Sequence, residues 1–364
     1  MELTWLLINA GLLLGLITFI YNRYALKKVG YSRHFSKLSA FAGDEVEMVE
    51  RIVNRKLLPL PWVRLESMMA SGLVFGAQNN LDIRSGDKLQ NHISLFSLRP
   101  YRQIVRRHRV FCAKRGYYRL ESATMTAGDP IGFAQPSKRF PLSLTLTVYP
   151  EVVPVEDLPL PNHSWLGDIT VRRWIIEDPF LVSGTREYRS GDSLRSVNWK
   201  ATARAGSLQV HQKDFTADHR LKICLNLETH EKMWKTVLDP ERIERAIQYA
   251  ASVAVYAVNQ GIDTGLLCNG WIVGAEHEPV RIDSSGGTAH MELMLEALAK
   301  LQLETVVTMP DLLEAELRGH PTDTDYLIIS CHRGELLEEK VEELQRRGNG
   351  VEWLLVPDEG GRAG

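Results

Sequence analysis

The sequence predicts an α+β chain of several parts: an N-terminal transmembrane helix, an antiparallel β-sandwich-like domain, then a doubly wound α/β domain. Three observations predict it. Residues 3–21 are an uncharged apolar run, residues 36–150 carry short period-two segments between turn residues, and from Arg220 onward apolar strand-like runs alternate with helical faces. At 364 residues the chain exceeds one typical domain, and an apolar fraction of 44% supports real cores. A net charge of −2 argues neither for nor against nucleic acid at the level of the whole chain. The four cysteines, Cys112, Cys224, Cys268 and Cys331, are far apart and form no C-x-x-C pair, so neither a disulfide framework nor a zinc site is expected.

Residues 1–34 read as an anchor with a basic flank. Leu3 to Tyr21 is about long enough to cross a bilayer as a helix. A signal peptide wants positive charge before its apolar core and a small-residue cleavage site after it. Here Glu2 precedes the core, Arg23, Lys27, Lys28 and Arg33 follow it, and no A-x-A-like site is present. The positive-inside rule then expects a single-pass inner-membrane protein with its C-terminal body in the cytoplasm.

Residues 35–150 form the β-rich part. Glu45 to Val53 and Leu142 to Val148 alternate with period two. Arg109 to Ala113 and Tyr117 to Leu120 flank Lys114-Arg115-Gly116, which reads as a hairpin. Arg99, Arg102, Arg106, Arg107, Arg109, Lys114, Arg115 and Arg119 are interleaved with Tyr101, Tyr117 and Tyr118 over residues 99–119. Such a stretch can bind nucleic acid, or lie near anionic headgroups, or simply be solvated. The anchor favours the last two.

Residues 151–183 are a Pro-rich connector. The segment 184–215 begins with GTREYRSGDSLRSVNWKATARAG, in which Arg186, Glu187, Tyr188, Gly191, Asp192, Arg195, Trp199, Lys200 and Arg204 stand out. Ser190-Gly191-Asp192 reads as a tight turn. Asp192 or Ser193 can cap a helix over Leu194 to Ala205 that Gly206 stops, and Leu208 to His211 then reads as a strand. Opposite charges beside a Trp most simply form a partly buried ion-pair network that locks two segments. A partner-docking face is the alternative.

The pattern R-E-Y-x-x-G-D-x-x-R-x-x-x-W-x-x-x-A-R, from Arg186 to Arg204, resembles the signature of the domain-of-unknown-function 58 family. That resemblance implies a membrane-anchored protein coupling a β-rich region to a von Willebrand factor A-like domain. It also implies a MoxR-type AAA+ ATPase as partner, and it brings no established activity.

Residues 216–358 carry the α/β alternation, and 359–364 are a Gly-rich tail. Leu221 to Leu227, Thr264 to Cys268, Trp271 to Gly274, Tyr326 to Ser330 and Gly350 to Val356 read as strands. Helical faces run through Ile243 to Val258, Met291 to Leu301, Asp311 to Leu317 and Leu336 to Leu344. Ligands of such sheets bind at the C-terminal strand ends. The resemblance implies a cation site there built from D-x-S-x-S, a Thr and an Asp. This chain offers Glu228 for the first Asp, His230 and Lys232 in place of the serines, Thr288 in a loop resembling the Thr donor, and Cys331 in the third loop. Hard oxygen donors are mostly lost, so no metal and no cofactor are expected. His230, Cys331 and His332 lack a fourth partner for zinc or nucleophilic chemistry.

No P-loop, G-x-G-x-x-G, H-E-x-x-H or G-x-S-x-G motif occurs, so an enzyme is not expected. The expectation is a non-enzymatic, membrane-anchored interaction protein. Its partners would be the ATPase, membrane lipid through the N-terminal helix, and other envelope proteins. The alternatives are an envelope-linked accessory enzyme using Arg186, Glu187 and Asp192, and nucleic-acid binding through 99–119.

Overall fold

The structure is a computed structural model and describes residues 2–76, 81–85, 89–160, 177–188, 197–215, 220–231, 233 and 237–358. The chain divides into two compact units, Met1–Glu151 and Val152–Gly364.

The first unit opens with helix α1 (Glu2–Tyr24), followed by strands β1 (Val29–Phe35), β2 (Ser39–Phe41), β3 (Glu45–Asn54), β4 (Leu60–Ala70), β5 (Leu73–Phe75), β6 (Leu81–Ser85), β7 (Leu89–Leu98), β8 (Gln103–Cys112), β9 (Gly116–Gly128) and β10 (Ser137–Tyr149). They form a four-stranded sheet, β1-β3-β8-β5, and a six-stranded sheet, β2-β10-β9-β4-β7-β6. All pairings are antiparallel except that of β2 with β10. Two apolar clusters each draw on both sheets. One joins Ile52 to Val63, Leu65 and Met125; the other joins Val46, Met48 and Val110 to Met69, Leu120 and Leu146. Residues 3–16 of α1 are exposed, while Ile17, Tyr21 and Ala25, four residues apart on one face, pack into the first cluster.

Two expectations change here. Residues 99–119 are not a hairpin, because β8 pairs with β3 and β5 while β9 pairs with β4 and β10, so the turn at 113–115 carries the chain from one sheet to the other. The basic run is also partly neutralised by β3. Arg106 lies opposite Glu50 and Arg109 opposite Glu47, and Arg107 forms an ion pair with Glu47 at 3.4 Å.

The second unit holds a 3-10 turn (Val155–Asp157), β11 (Glu177–Glu187), α2 (Trp199–Ala205), β12 (Gln209–Phe215), β13 (Arg220–Leu225), α3 (Pro240–Asn259), β14 (Asp263–Cys268), β15 (Gly270–Ile272), β16 (Val280–Ser285), α4 (Thr288–Lys300), β17 (Leu301–Thr305), α5 (Met309–Leu317), β18 (Thr324–Ser330), α6 (Glu335–Arg346) and β19 (Gly350–Leu355). The main sheet has the order β16-β14-β13-β18-β19. Its last four strands are parallel, and β16 is antiparallel at the edge. The chain winds outward from β13 through β14, then returns to the other side of β13 for β18 and β19. Cys224, Tyr326 and Ile328 share one apolar cluster with α5 and α6. Leu221, Ile223 and Leu225, of opposite parity, are equally buried, so both faces of the sheet are covered. Helix α3 starts as its sequence dictates, with the Asp239 side chain accepting from the Arg242 N–H at 3.1 Å and Pro240 in the first turn.

Differences from expectation are local. Trp271 belongs to β15, which pairs with β17 outside the main sheet. Strand β16 is an element that the sequence pattern does not announce. Within the connector, β11 begins at Glu177. On α6, Leu337, Val341 and Leu344 are buried whereas Leu336 stays exposed. All four cysteines are buried, and none is in a disulfide.

Candidate functional site

The signature segment is a strand–helix–strand element. Strand β11 pairs antiparallel with β12, placing Thr185 opposite His211, Arg186 opposite Val210 and Glu187 opposite Gln209. Between them α2 is short because Val197, one residue before its cap, is held in a bridge to Val210, both side chains being buried. Asn198 caps the helix, its side chain accepting from the Ala201 N–H at 3.0 Å. Gly206 ends it in the left-handed conformation at φ +70°, where glycine carries no Cβ penalty. Thr202 Oγ1 accepts from the Gln209 N–H at 2.9 Å and ties the helix to β12.

The stop at Gly206 is as the sequence predicts, but the described part of the helix starts at Trp199 rather than Leu194. Trp199 is 69% exposed, so it does not roof a buried charge network. Lys200, Ala203 and Arg204 are exposed beside it on the same helix. Glu187 is exposed and accepts a hydrogen bond from the Ser207 hydroxyl at 3.3 Å, and Tyr188 donates its N–H to the Leu208 carbonyl at 2.8 Å. Gly191, Asp192 and Arg195 lie outside the described residues. What fastens α2 to its strands is Asn198, Thr202 and the buried Val197–Val210 contact.

At the C-terminal ends of β13, β14 and β18 the side chains close on one another. Asn226, Asn269 and Ser330 are fully buried. Asn226 donates to Ser330 Oγ at 3.1 Å and accepts from Asn269 at 3.0 Å, and Asn269 accepts from the Leu227 N–H at 2.9 Å. Glu228 is buried, and its carboxylate accepts from the Met309 N–H at 3.0 Å, at the first turn of α5. Burial pushes its pKa up, the Met309 bond opposes this, and Asp311 adds to it. His332 Nδ1 donates to the Glu228 carbonyl at 3.2 Å, and burial lowers its pKa. His230 Nδ1 donates to the Glu231 carbonyl at 2.8 Å. Burial pushes the Cys331 thiol up to about 11, far from a nucleophilic thiolate.

Thr288 does not join this group. Ser285 pairs with Thr264 at the start of β14, whereas Glu228 follows the end of β13, and the parallel register of β13 with β14 sets these at opposite ends of the strands. Lys232 lies outside the described residues. Among the described residues no group of three or more His, Cys, Asp or Glu side chains is placed to hold a metal.

Two features escaped the sequence reading. A groove of about 720 Å³ runs along edge strand β16 and α4, walled by Val280, Ile282, Leu293 and Ala297. The other is an ionic centre inside the sandwich. Glu50 takes hydrogen bonds from Tyr31 at 2.9 Å, from Arg33, and from His108 Nε2 at 3.0 Å. Arg33 also donates to Ser67 at 3.1 Å, and Arg106 approaches Glu50 at 3.9 Å. Burial alone would raise the Glu50 pKa. The His108 hydrogen bond and the Arg33 charge outweigh it and hold the carboxylate well below its usual range. His92 lies across a cavity of about 10 Å³ lined also by Arg33, Glu50 and His108. Burial and the nearby positive charges push its pKa down to about 4. Parity was the available signal: Glu50 falls in phase with Val46, Met48 and Ile52, and His108 with Val110 and Cys112.

Comparison with known proteins supplies a family-model match to part of the chain and no activity. The chain is 21% identical over 359 residues to the uncharacterized protein YeaD of Bacillus subtilis, covering 98% of this chain and 82% of that protein. Among solved structures, a cohesin module from a Clostridium perfringens family 33 glycoside hydrolase aligns over 32% of this chain and 97% of its own, at 10% identity and a TM-score of 0.21. A non-cellulosomal cohesin from Archaeoglobus fulgidus aligns over 32% of this chain and 90% of its own, at 13% identity and a TM-score of 0.22. Likeness at that level bears on neither partner nor activity. The family expected from the Arg186-to-Arg204 pattern is the one found: residues 184–329 match the family model described as protein of unknown function DUF58.

Proposed function

We propose that this chain is a non-enzymatic, membrane-anchored interaction protein whose docking face is the exposed side of α2. The observation that carries the reading is Trp199, a large aromatic left 69% exposed on a helix that Asn198, Thr202 and Gly206 fix rigidly. Exposed tryptophan flanked by Lys200 and Arg204 suits a partner interface, where Trp and Arg are the residues that dominate binding energy. The family resemblance nominates a MoxR-type AAA+ ATPase as that partner. The doubly wound sheet with its antiparallel edge strand is compatible with a von Willebrand factor A-like domain whose cation site is lost. In support of that loss, Glu228 is committed to the Met309 N–H.

Anchoring rests on α1, which is long and apolar enough to cross a membrane. Its face through Ile17 and Tyr21 packs into the sandwich core, which favours a retained helix over a cleaved leader. Arg23, Lys27 and Lys28 directly after the apolar run favour a cytoplasmic body.

The test is capture of the chain by the MoxR-type ATPase encoded in the same genome, with Trp199→Ala and Lys200→Ala/Arg204→Ala variants. Lost capture with unfolding unchanged within about 0.5 kcal/mol is expected for surface positions. Retained capture by both variants would remove α2 as the docking face.

A further inference from the structure

The end of the sandwich from which α1 emerges carries a second, separate surface. Pairing of Val29 with Asn54, of Val53 with Gln103, and of Trp62 with Gly128 brings four connections to that one end: residues 25–28, 55–59, 99–102 and 129–136. Hydrogen bonds knit them together. Arg55 N–H donates to the Lys28 carbonyl at 3.0 Å, Tyr101 N–H to the Lys56 carbonyl at 3.3 Å, and Asn54 to the Arg99 carbonyl at 3.1 Å.

The 129–134 turn is built around a buried carboxylate. Asp129 is 0% exposed; it accepts from the Gly132 N–H and from the Thr18 hydroxyl of α1, the latter at 3.3 Å. Its N–H donates to the Ala134 carbonyl at 3.2 Å, and Gly132 adopts φ +92°. Ala134 packs into the cluster that holds Ile17 and Tyr21. So pinned, the turn points Ile131 and Phe133 outward, Phe133 being 73% exposed. Two large apolar side chains on a rigid tip are costly in water and favourable in lipid.

Length decides where that tip lies. Residues 3–16 are the continuously exposed part of α1, about 21 Å at 1.5 Å per residue. A hydrocarbon core is about 30 Å thick. A spanning α1 must therefore place residues 17–22 in the membrane as well, and Thr18 carries the Asp129 turn with it. Behind the turn, Lys27, Lys28, Arg55, Arg99 and Arg102 are exposed around the same end, where headgroups would stand.

We propose that this end of the sandwich is a lipid-contact face, with Ile131 and Phe133 wedged into an anionic bilayer beside α1 and the basic rim on its headgroups. The inference rests on the proposed anchor, and the experiment separates the two. The four native cysteines are buried, so a single cysteine introduced at Phe133, Leu12 or Lys114 can carry a fluorophore in the full chain. Each labelled chain is reconstituted in phosphatidylcholine–phosphatidylglycerol vesicles and quenched with doxyl lipids. Lys114 lies in the turn at the far end of β8. The probe at 133 is expected to be quenched several-fold more than at 114 and comparably to 12, and Arg55→Glu/Arg102→Glu to reduce quenching at 133. Strong quenching at 12 with 133 no different from 114 overturns the wedge and leaves the anchor standing. No quenching at 12 overturns both. Quenching at 133 unaffected by the charge reversals and by omitting phosphatidylglycerol overturns the basic rim.

Discussion

Glu50 on β3 accepts a hydrogen bond from His108 on β8 at 3.0 Å, with both side chains inside the sandwich and the Arg33 guanidinium on the other carboxylate oxygen. Taking away the negative charge leaves Arg33 buried without compensation. Glu50→Gln keeps the shape and is expected to cost about 3–5 kcal/mol, the range for breaking a buried pair. Arg33→Met together with Glu50→Leu should cost less than the sum of the two single losses, because no orphaned charge remains. Urea titration of the three variants measures this; strictly additive losses would mean the two groups do not act as a pair.

Acid should loosen the same region. The fold holds the His92 pKa at about 4, whereas an unfolded chain takes up that proton near pH 6.5. Between those values the unfolded state binds more protons, so stability falls as pH falls, by at most about 3 kcal/mol from this group. Glu50, whose pKa is also depressed, adds to the loss below the unfolded carboxylate value. His92 Nε2 is buried with no hydrogen-bond partner among the described residues. His92→Leu is therefore expected to change stability little at pH 7 and to flatten its pH dependence between pH 4 and 6.5. A slope identical to that of the parent chain would assign the acid response elsewhere.

Orientation is open to a direct readout. Arg23, Lys27 and Lys28 follow the apolar run of α1 and only Glu2 precedes it. A reporter fused after Gly364 should be active when it requires the cytoplasm and silent when it requires the periplasm. Periplasmic activity would reverse the topology and, with it, any partnership with a cytoplasmic ATPase.

The α/β half was legible because its signals are local. The run Tyr326 to Ile329 is apolar throughout, and α3 announces itself by the spacing of Ile243, Ile247, Ala250 and Ala254. In the sandwich, β3 and β10 were readable from alternation, but partners were not. Nothing in residues 109–120 says that the strands flanking Gly116 enter different sheets, since a short turn serves either outcome. Thr288 is set apart for a similar reason: Ser285 to Thr288 looks like a ligand loop until β16 is seen to run antiparallel and return the chain to the N-terminal end of β14. The buried role of Glu50 was encoded in its parity with Met48 and Ile52, but its basic partners come from β1 and β8, which no local pattern pairs. In the signature, the residue types suggested burial, whereas the bridge from Val197 to Val210 sets the start of α2 so that Trp199 faces outward.

Glu228 separates a structural carboxylate from a metal ligand. Its Oε2 accepts from the Met309 N–H at 3.0 Å where α5 begins, and the Thr308 side chain caps the same turn by accepting from the Asp311 N–H at 3.3 Å. A carboxylate serving a helix N-terminus contributes about 0.5–2 kcal/mol. Glu228→Ala should lose roughly that amount, and Glu228→Gln less, because the amide oxygen still accepts from Met309. A metal ligand behaves differently. Millimolar Mg²⁺ would then raise the Tm saturably, as a ligand of the native state does, and Glu228→Gln would abolish the rise. The expected outcome is a Tm indifferent to Mg²⁺ and Mn²⁺ in both the parent chain and Glu228→Gln, with Glu228→Ala lower in either condition. Thermal unfolding with and without cation decides it: a cation-dependent shift present in the parent and absent in Glu228→Gln would make this strand end a working metal site.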